Sequence, residues 1–489
     1  MMRGFAALKR LSRSEKALIV VFLVTLPLVN PWVRGDGVGY YAYARAMLIE
    51  HSLNFRNDWK SANQSFAMSR LDANGNILPE DYTVTGHIEN HFTVGPAILW
   101  APFLIAAHLA VLLMDALGAH IPPDGFSWPY LYAMAIGTAV YGFLGLWISF
   151  RIARRYFSES SAAIATFGIW FASSLPVYMY FNPSWSHAHS AFIVALFLWF
   201  WNQTREKRSL LQWVALGLLT GLALDVYYPN FVIILLPGLE SLAVYSGIPP
   251  HQVSGTRGRF AIGNIAYTAA LFVGFLPTLI TRRIIYGSGV ETGYVSVWDW
   301  SWLHPHLLSV MFSSDHGVLS WTPIVLLAVL GLFAVVRRDK ELGIILLCVV
   351  AGFEYFIGAY PTWDGLSSYG NRFFVSLTAI FVLGLAGGID LLGQMLSVWR
   401  ARALAYGVTA ALIVWNLAFI YQWGMHLVPA RGPISWHQMA YNQFAVVPER
   451  IAADIGQYFS HRKNLMKHIE TIDVDQLKHQ EAPAQKESR

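Results

Sequence analysis

The stretch Arg34-Gly35-Asp36-Gly37-Val38-Gly39-Tyr40-Tyr41-Ala42-Tyr43-Ala44-Arg45 follows directly on the first apolar segment of the chain. Asp36 stands between two glycines where the chain leaves the membrane. A carboxylate there is costly unless water, a cation or a substrate proton lies beside it. Asp is also a favoured cap at the start of a helix. Two interpretations of Asp36 are therefore open, a helix cap and a general base at the membrane surface.

The composition is that of a membrane protein. Of the 489 residues, 55% are hydrophobic and 13% are charged, whereas soluble domains carry about 25% charged residues. Apolar runs long enough to cross a bilayer as helices recur from end to end. The net charge of +5 is concentrated in short loops, which is typical of membrane topology rather than of nucleic-acid binding. The single cysteine, Cys348, excludes an intramolecular disulfide.

The basic residues predict how the chain crosses the membrane. Residues 1–16 are rich in Lys and Arg and are expected in the cytoplasm. A retained first span is predicted over 17–33, because no signal-peptide cleavage site follows it. The apolar segment 93–115 is predicted to be an interfacial or re-entrant helix, since a crossing there would place the later Arg clusters outside. The result is an all-α polytopic fold with about 11 transmembrane helices.

The predicted spans divide the chain into a membrane domain and a tail. After the first span they cover residues 130–152, 162–180, 189–201, 211–226, 231–245, 261–280, 323–336, 342–358, 373–392 and 403–423. Residues 1–423 would form the catalytic membrane domain, with 34–92 as first extracytoplasmic loop and an amphipathic juxtamembrane helix over 38–50. Residues 424–489 would form an extracytoplasmic tail, disordered over 476–489. Chemistry is expected on the outer face.

Three tyrosines follow Asp36 and offer two interpretations. Tyr40, Tyr41 and Tyr43 are typical of the aromatic belt that anchors helices at a membrane surface. As a cluster beside a carboxylate they could also line a sugar pocket, because aromatic faces pack on sugar rings.

Histidines recur near the predicted outer surface. His91 closes an alternating pattern with His87 and Glu89 that resembles metal ligation, although solvated loop residues are the favoured interpretation. His187 and His189 lie in an outer turn, and histidines at membrane depth are costly unless they have partners. They could cap and anchor a helix, or they could serve as a second acid/base group or a donor-phosphate contact.

Three arginines lie outside against the usual charge distribution of membrane proteins. Arg282, Arg283 and Arg372 end or begin predicted spans on the outer side. A guanidinium binds phosphate through a bidentate fork, so a phosphate contact is predicted for at least one of them. Lipid head groups, or salt bridges with Asp364 or Glu354, are the alternatives.

Further polar residues crowd the same face. Asp225 stands where one predicted span meets the next, and it is a candidate substrate-binding carboxylate. Asp315 and His316 lie in a Ser- and Gly-rich stretch, and Asp364 follows Trp363 in another. These two stretches are more typical of substrate loops than of membrane anchors.

The arrangement resembles the GT-C superfamily of polytopic glycosyltransferases, and within it the protein O-mannosyltransferase and lipid A aminoarabinose transferase branch. The resemblance rests on an Asp just after the first span, the surface helix that follows, a second interfacial helix opening with Pro96, and an Arg-rich return at residues 151–156. It covers roughly the first half of the chain. Those enzymes use polyprenyl-phosphate sugars and transfer the sugar outside the cytoplasm with inversion.

The resemblance implies roles for individual residues. Asp36 would be the catalytic base. Thr93-Val94-Gly95-Pro96 takes the place of a Lys-Pro-Pro motif but lacks its lysine, so His91 is the candidate for the donor-phosphate contact. The outer turn after the third span holds His187 and His189 instead of an acid, and Asp36 belongs to no Asp-x-Asp pair. Both departures weaken the case for a metal, so no cofactor is firmly predicted and a divalent metal is left open.

Together these observations predict a glycosyltransferase of the cell envelope, placed in the bacterial inner membrane with its site facing outside. It would move a hexose or pentose from a polyprenyl-phosphate donor in the membrane lipid to an acceptor glycan, lipid or protein, without nucleic acid. The alternatives are a lipid or sugar transporter or flippase, and a polymerase or ligase with a pyrophosphate-linked oligosaccharide donor. Transporters bind at mid-bilayer between inverted repeats, whereas the candidate groups here cluster at one face and no repeat is visible.

Overall fold

The computed structural model describes residues 11–247 and 257–487, with side chains as far as residue 478. Helices make up most of this part of the chain. Its only β-structure consists of two isolated bridges in the first loop, Leu71 with Ile77 and Tyr82 with Ile88. The prediction of an all-α polytopic protein is therefore confirmed.

The N-terminal part consists of one apolar helix followed by the long first loop. Helix α1 (Arg13–Thr25) begins at a capping box in which Ser12 accepts from the amide of Glu15. The loop contains three short helices, α2 (Asp36–Arg45), α3 (Arg56–Lys60) and α4 (Gln64–Ala67).

The membrane part is a bundle of apolar helices. Its first half contains α5 (Gly95–Ala116), α6 (Trp128–Tyr156), α7 (Glu159–Ala172), α8 (His187–Thr204), α9 (Leu210–Val226), α10 (Leu235–Tyr245), α11 (Arg257–Gly274) and α12 (Leu276–Tyr286). Its second half contains α13 (Leu307–Phe312), α14 (Val318–Trp321), α15 (Ile324–Arg338), α16 (Lys340–Ala359), α17 (Thr378–Met395) and α18 (Val398–Gly424). Helices α19 (Trp436–Tyr441), α20 (Val447–Ser460) and α21 (Arg462–Glu487) form the tail.

Among the described residues, six helical segments are long and apolar enough to cross a membrane, or seven if the bent pair α11 and α12 is one span. The predicted number of about 11 is not confirmed, because several predicted spans are shorter helices. The predicted span 162–180 is an example, since α7 ends at Ala172 and the chain continues in a π-turn over Val177–Phe181. Most of the segment 93–115, predicted to be interfacial, lies in α5 (Gly95–Ala116), which is one of the six.

Glycines allow the apolar helices to approach one another closely. A Cβ at Gly331 in α15 would lie 1.9 Å from the carbonyl oxygen of Gly384 in α17. In α9, a Cβ at Gly217 would lie 2.2 Å from the carbonyl oxygen of Tyr267 in α11. Any larger residue would force these helices apart. Small residues at such crossings are typical of membrane helices, where van der Waals packing drives association.

Basic residues near the helix ends predicted to be cytoplasmic are paired with carboxylates. Arg208 lies 3.0 Å from Glu240, and both side chains are almost completely buried. The indole of Trp201 donates to the same carboxylate at 2.9 Å. Arg205 is paired with Asp339 across the bundle. These contacts fix the ends of α8, α10 and α16 relative to one another.

The C-terminal tail folds back onto the first loop. Residues 476–487, predicted to be disordered, continue helix α21, and residues 488–489 lie outside the described part of the chain. Leu465, Ile469 and Val474 are buried on this helix and are 7%, 7% and 3% exposed. The tail is polar on average, so its composition does not reveal these apolar positions. Their burial in tertiary contacts stabilises the helix.

Candidate active site

Asp36 is the first residue of helix α2, and its carboxylate does not cap that helix. Gly35 occupies the cap position with a φ of +51°, and no side chain caps the helix. A Cβ at Gly35 would lie 3.1 Å from the ring of Trp185, so glycine suits both the conformation and the space. Of the two interpretations of Asp36, the helix cap is therefore wrong, and the carboxylate is directed elsewhere.

The carboxylate of Asp36 forms an ion pair with Arg372. Oδ2 of Asp36 lies 2.8 Å from Nη1 of Arg372. The guanidinium is centred 4.4 Å from the ring of Trp185, where a cation–π contact supports it. The side chain of Asp36 is 31% exposed and that of Arg372 is 11% exposed. The pair is thus held firmly and remains open to solvent on one side.

The open side faces a cavity of about 390 Å³. The first loop, the turn before α8, the loop after α16, the segment after α18 and helix α21 bound this cavity. The arginines that line it are Arg34, Arg70, Arg372 and Arg431, and the carboxylates are Asp36 and Asp473. Guanidinium groups outnumber carboxylates on its wall, so the cavity favours an anionic ligand.

Arg34 meets a carboxylate from the tail. Nη2 of Arg34 lies 2.5 Å from Oδ2 of Asp473, and Nε2 of His426 lies 3.2 Å from Oδ1 of the same group. Burial alone would raise the pKa of Asp473, but the contacts with His426 and Arg34 outweigh it and hold the pKa below its usual range. The indole of Trp185 donates to the carbonyl of Arg34 at 3.0 Å. Trp185 therefore connects Arg34 with Arg372.

Arg70 has no carboxylate oxygen within 4 Å in the described part of the chain. Its Nη1 donates to Oγ of Ser69 at 2.9 Å and to the carbonyl of Phe66 at 3.3 Å. The guanidinium lies 4.0 Å over the Phe66 ring. Burial lowers the pKa of Arg70, against a smaller opposing effect of nearby carboxylates. An arginine in this position is suited to binding an external anion.

His91 lines the cavity as a neutral side chain. Its ring centroid lies 4.2 Å from that of Phe92 and 4.7 Å from that of Tyr294. Burial, followed by the positive charges of Arg70 and Arg282, lowers the pKa of His91 to about 3. The structure thus places His91 on the wall of the same cavity as Asp36. As a neutral ring it can supply a hydrogen bond but no charge.

Arg282 does not face the cavity, contrary to its predicted phosphate role. Its guanidinium donates to the carbonyl oxygens of Asn90 at 2.7 Å, His91 at 2.5 Å and Phe92 at 2.8 Å. Nε also donates to the hydroxyl of Tyr228 at 3.1 Å, and the residue is 1% exposed. Because its donors are used by the protein, Arg282 is a support for the segment that carries His91.

Arg283 is also remote from the cavity. Its side chain is exposed and donates to the carbonyl of Gly287, where α12 ends. A cation near the last carbonyls of a helix is favourable there. Arg372 alone, of the three predicted outer arginines, reaches the cavity.

The three tyrosines of α2 lie in the protein interior. Tyr40, Tyr41 and Tyr43 are each at most 3% exposed, and none of them lines the cavity beside Asp36. The hydroxyl of Tyr41 donates to the carbonyl of Gly125 at 2.7 Å, and that of Tyr43 to the carbonyl of Asn90 at 3.1 Å. Both interpretations of these tyrosines, an interfacial belt and a sugar pocket, are wrong. The packing of α2 against the rest of the protein buries their side chains, so they face neither the protein surface nor the cavity.

His187 and His189 are core residues near the start of α8. They are 2% and 0% exposed, and neither lines the cavity. The ring of His187 lies 4.6 Å from that of Tyr178, and the ring of His189 lies 5.0 Å from that of Trp100. Their burial excludes the predicted direct contact with substrate in this conformation.

Asp225 is likewise buried at 0% exposure, away from the cavity. Its Oδ1 accepts from the amide of Thr278 at 3.1 Å. The carboxylate thereby accepts a hydrogen bond from an amide near the start of α12, where a negative charge is favourable. It joins α9 to α12 rather than binding substrate.

Asp315 belongs to a group of three side chains that could hold a metal ion. Ligand atoms of Asp315, His316 and Asp364 lie within 4.8 Å of one another. Two carboxylates and an imidazole are ligands that zinc accepts. Nδ1 of His316 lies 3.4 Å from Oδ1 of Asp315, a spacing that two ligands of one tetrahedral ion can have. The residues after Asp364 border the cavity.

Four charged cavity residues are not candidates from the sequence alone. Arg34, Arg70 and Arg431 lie in polar segments where arginine is common, and Asp473 lies in the tail, whose role the sequence leaves open. Arg34 precedes Asp36 by two positions, which is the one local signal in the sequence. The others reach the site only through folding of the first loop and of α21.

Comparisons with known proteins give one group of similar structures. No family model and no curated protein matches the sequence. The chain is similar to an apo structure of the Archaeoglobus fulgidus oligosaccharyltransferase, with 15% identity and a TM-score of 0.49 over 89% of this chain and 54% of that chain. The same enzyme in complex with Zn and sulfate gives 14% identity and a TM-score of 0.48, over 83% and 55% of the two chains.

A third similar structure is the archaeal oligosaccharyltransferase AglB from Archaeoglobus fulgidus with an inhibitory peptide and a dolichol-phosphate. It gives 13% identity and a TM-score of 0.45 over 89% of this chain and 54% of that chain. The chain thus spans about half the length of these proteins. They belong to the GT-C superfamily, which is the superfamily that the sequence resembles. At these values the similarity concerns the fold alone.

Proposed function

We propose that this chain is a membrane glycosyltransferase that moves a sugar from a polyprenyl-phosphate donor to an acceptor on the extracytoplasmic side. We place it in a bacterial inner membrane with the cavity facing outward. The observation that carries the proposal is the ion pair of Asp36 with Arg372 on the wall of an arginine-lined cavity. It puts a carboxylate and an anion-binding group side by side.

Phosphate binding is the first requirement of such a reaction. Arg70 lacks a carboxylate partner among the described residues, and Arg372 has donors beyond the Nη1 that meets Asp36. A guanidinium binds phosphate through two parallel hydrogen bonds. We assign Arg70 and Arg372 to the donor phosphate, with the neutral His91 as a further hydrogen-bonding group. The apolar helices next to the cavity would hold the prenyl chain.

Sugar transfer then needs a base for the acceptor. Asp36 removes the proton of an acceptor hydroxyl, and the acceptor oxygen forms a bond to the anomeric carbon from the face opposite the phosphate. The bond from this carbon to the phosphate oxygen breaks, and its electron pair stays with the phosphate. The transition state is oxocarbenium-like, and the product has inverted configuration. Arg372 and Arg70 stabilise the negative charge that grows on the leaving phosphate.

A metal is not needed for these steps. A divalent cation held by Asp315, His316 and Asp364 would add positive charge beside the loop that borders the cavity. This chain's own guanidinium groups already supply charge of that sign at the cavity wall. Chelation followed by a transfer assay measures how much such a cation contributes.

The proposal is tested by transfer assays in native membranes and with purified protein, using radiolabelled polyprenyl-phosphate sugars. We expect Asp36→Asn to lower turnover by about 10²- to 10⁴-fold. Asp299→Asn, an exposed carboxylate outside the cavity, is the matched control and should keep full activity. Full activity of Asp36→Asn would remove Asp36 from the mechanism.

The donor class is tested in the same preparation. We expect monophosphate donors to be used and pyrophosphate-linked oligosaccharides to be inert. Preference for the pyrophosphate would instead identify a polymerase or ligase. Movement of the lipid between leaflets without a glycosylated product would identify a transporter and contradict the proposal.

A further inference from the structure

Helix α21 forms part of the cavity that holds Asp36. Ile469, Asp473, Gln476 and Leu477 of this helix line the cavity together with residues of the first loop. The helix follows α20 at His461, where the backbone leaves the helical region. The last helix of the tail therefore covers a site whose chemistry is carried by residues at the other end of the sequence.

Besides its buried Leu465, Ile469 and Val474, α21 contacts the first loop through two carboxylates. The carboxylate of Glu470 accepts from the amide of Ser65 at 2.6 Å and from the side chain of Asn63 at 3.0 Å. Asp473 meets Arg34 at 2.5 Å. Polar contacts of this kind exchange readily with water or ligand, in contrast to the close glycine packing within the bundle.

The contact of Asp473 with Arg34 resembles the contact that a substrate phosphate would make. Arg34 lines the cavity beside Asp36, and the only carboxylate on it among the described residues comes from the covering helix. Carboxylates and phosphates bind a guanidinium in the same bidentate manner. The phosphodiester of a polyprenyl-phosphate sugar carries one negative charge, as a carboxylate does, and its two unesterified oxygens can replace the carboxylate oxygens there.

We propose that α21 is a lid that Asp473 holds closed on Arg34 until the phosphate group of a polyprenyl-phosphate ligand takes its place. This inference rests on the proposed function, because it assumes that a phosphate enters the cavity. Arg34 thereby becomes a phosphate-binding residue, and Asp473 becomes an internal competitor for it. Release of Asp473 allows α21 to move about His461 and opens the cavity to the acceptor.

The first test measures phosphate binding to the full-length protein. Asp473→Asn removes the competing charge with little change of shape, so we expect polyprenyl phosphate to bind about three- to tenfold more tightly. Asp475→Asn, an exposed residue on the same helix, is the matched control and should bind as the wild type does. Arg34→Gln should weaken binding by about tenfold. Unchanged affinity of Asp473→Asn would overturn the proposal.

A parallel titration identifies the source of the phosphate. Inorganic phosphate alone should gain affinity in Asp473→Asn if any phosphate competes at Arg34, whereas a gain restricted to polyprenyl phosphate would identify the lipid head group. Absence of a gain in both titrations contradicts the lid. Thermal unfolding of each variant shows whether a changed affinity reflects a loss of folded protein.

The second test holds the lid closed. Ser65→Cys and Glu470→Cys, in a Cys348→Ser background, provide two thiols where the loop and α21 meet. A reducible cross-linker that reacts with both thiols should abolish sugar transfer, and reduction of the cross-linker should restore transfer in the same sample. Full transfer with the cross-link in place would show that transfer does not require movement of α21 and would contradict the lid.

The two proposals fail in different ways. Without the lid, the wild-type protein still transfers sugar and depends on Asp36, but Asp473→Asn binds phosphate normally. Without the glycosyltransferase activity, no product forms from any polyprenyl-phosphate sugar, while the phosphate titrations still report on Asp473 and Arg34.

Discussion

Asp36 and Arg372 meet at 2.8 Å although Asp36 begins helix α2 of the first loop and Arg372 begins the turn that leads into α17. Each side chain neutralises the charge of the other, because an unpaired carboxylate or guanidinium in this partly buried place would cost free energy of folding. The pair also combines a base with an anion-binding group in a single contact. Its two members should therefore act as a unit.

The first prediction concerns this unit. We expect Arg372→Gln to lower turnover by about 10²-fold or more, because it removes charge from the leaving phosphate. Arg372→Lys keeps the charge but loses the planar contact with Trp185, so it should recover only part of the activity. The double variant Asp36→Asn/Arg372→Gln should be little worse than Asp36→Asn. Additive effects in turnover measurements would contradict joint action.

Arg70 leads to a separate prediction for donor binding. We expect Arg70→Gln to raise the KM for the polyprenyl-phosphate sugar by about tenfold, because a charge-assisted contact with the phosphate is lost. The exposed Arg56→Gln in α3 is the matched control for overall charge. Initial-rate measurements over a range of donor concentrations separate KM from kcat. An unchanged KM in Arg70→Gln would exclude Arg70 from the phosphate site.

Arg282 should behave as a structural residue. Removing its guanidinium leaves the carbonyls of Asn90, His91 and Phe92 without their donors. We expect Arg282→Gln to destabilise the folded protein by about 2–4 kcal/mol, measured by thermal unfolding in detergent. Arg282→Lys should lose less, since it retains a charged donor. A variant with wild-type stability but weakened donor binding would instead support the phosphate role predicted from the sequence.

The fold was predictable where one physical feature dominates. Apolar runs and their Arg-rich ends predict an all-α membrane bundle, because the bilayer admits few other structures. Span boundaries were harder to predict, since breaks such as the one after Ala172 depend on tertiary contacts. Helix α21 was missed because a polar composition conceals the buried Leu465 and Ile469.

The site was only partly predictable, for reasons that its arginines illustrate. Asp36 was identified because an acid at the end of an apolar segment is costly, and Arg372 because it opposes the usual charge distribution. The same reasoning also selected Arg282, whose charge is in fact surrounded by backbone carbonyls. Arg70 gave no sequence signal, since an arginine in a polar loop is ordinary.

The lowered pKa of His91 predicts a pH dependence of local stability. Its pKa is about 3 in the folded protein because burial and two arginines disfavour the charged form, against an ordinary value of 6.5. The stabilisation from keeping this ring neutral is complete above pH 6.5 and is lost as the pH falls toward 3. We expect the protection factors of the amides in residues 89–94, which relate observed exchange to the intrinsic exchange rate at each pH, to fall over this range.

His91→Gln isolates this effect from its neighbours. Burial raises the pKa of Glu89, so Glu89 titrates with the opposite sign and partly offsets His91. Arg70 and Arg282 stay charged across the range. The acid-induced loss of amide protection should therefore shrink in His91→Gln and persist in Glu89→Gln. An equal loss of protection in His91→Gln and the wild type would assign the effect to another group.

Gly37 decides how closely α2 can approach the turn before α8, and thus where Asp36 lies. A Cβ at Gly37 would stand 1.9 Å from Oγ of Ser184 and 2.5 Å from its Cβ, inside a fully buried contact. We expect Gly37→Ala to cost about 1–3 kcal/mol of stability and to lower sugar transfer more than tenfold, because α2 must shift. Gly238→Ala, a helical glycine with open space around it, is the control and should change neither quantity. Ser184→Gly removes the opposing atoms, so combining it with Gly37→Ala should restore transfer. If the double variant stays inactive although it is as stable as the wild type, the position of Asp36 is set by contacts other than this one.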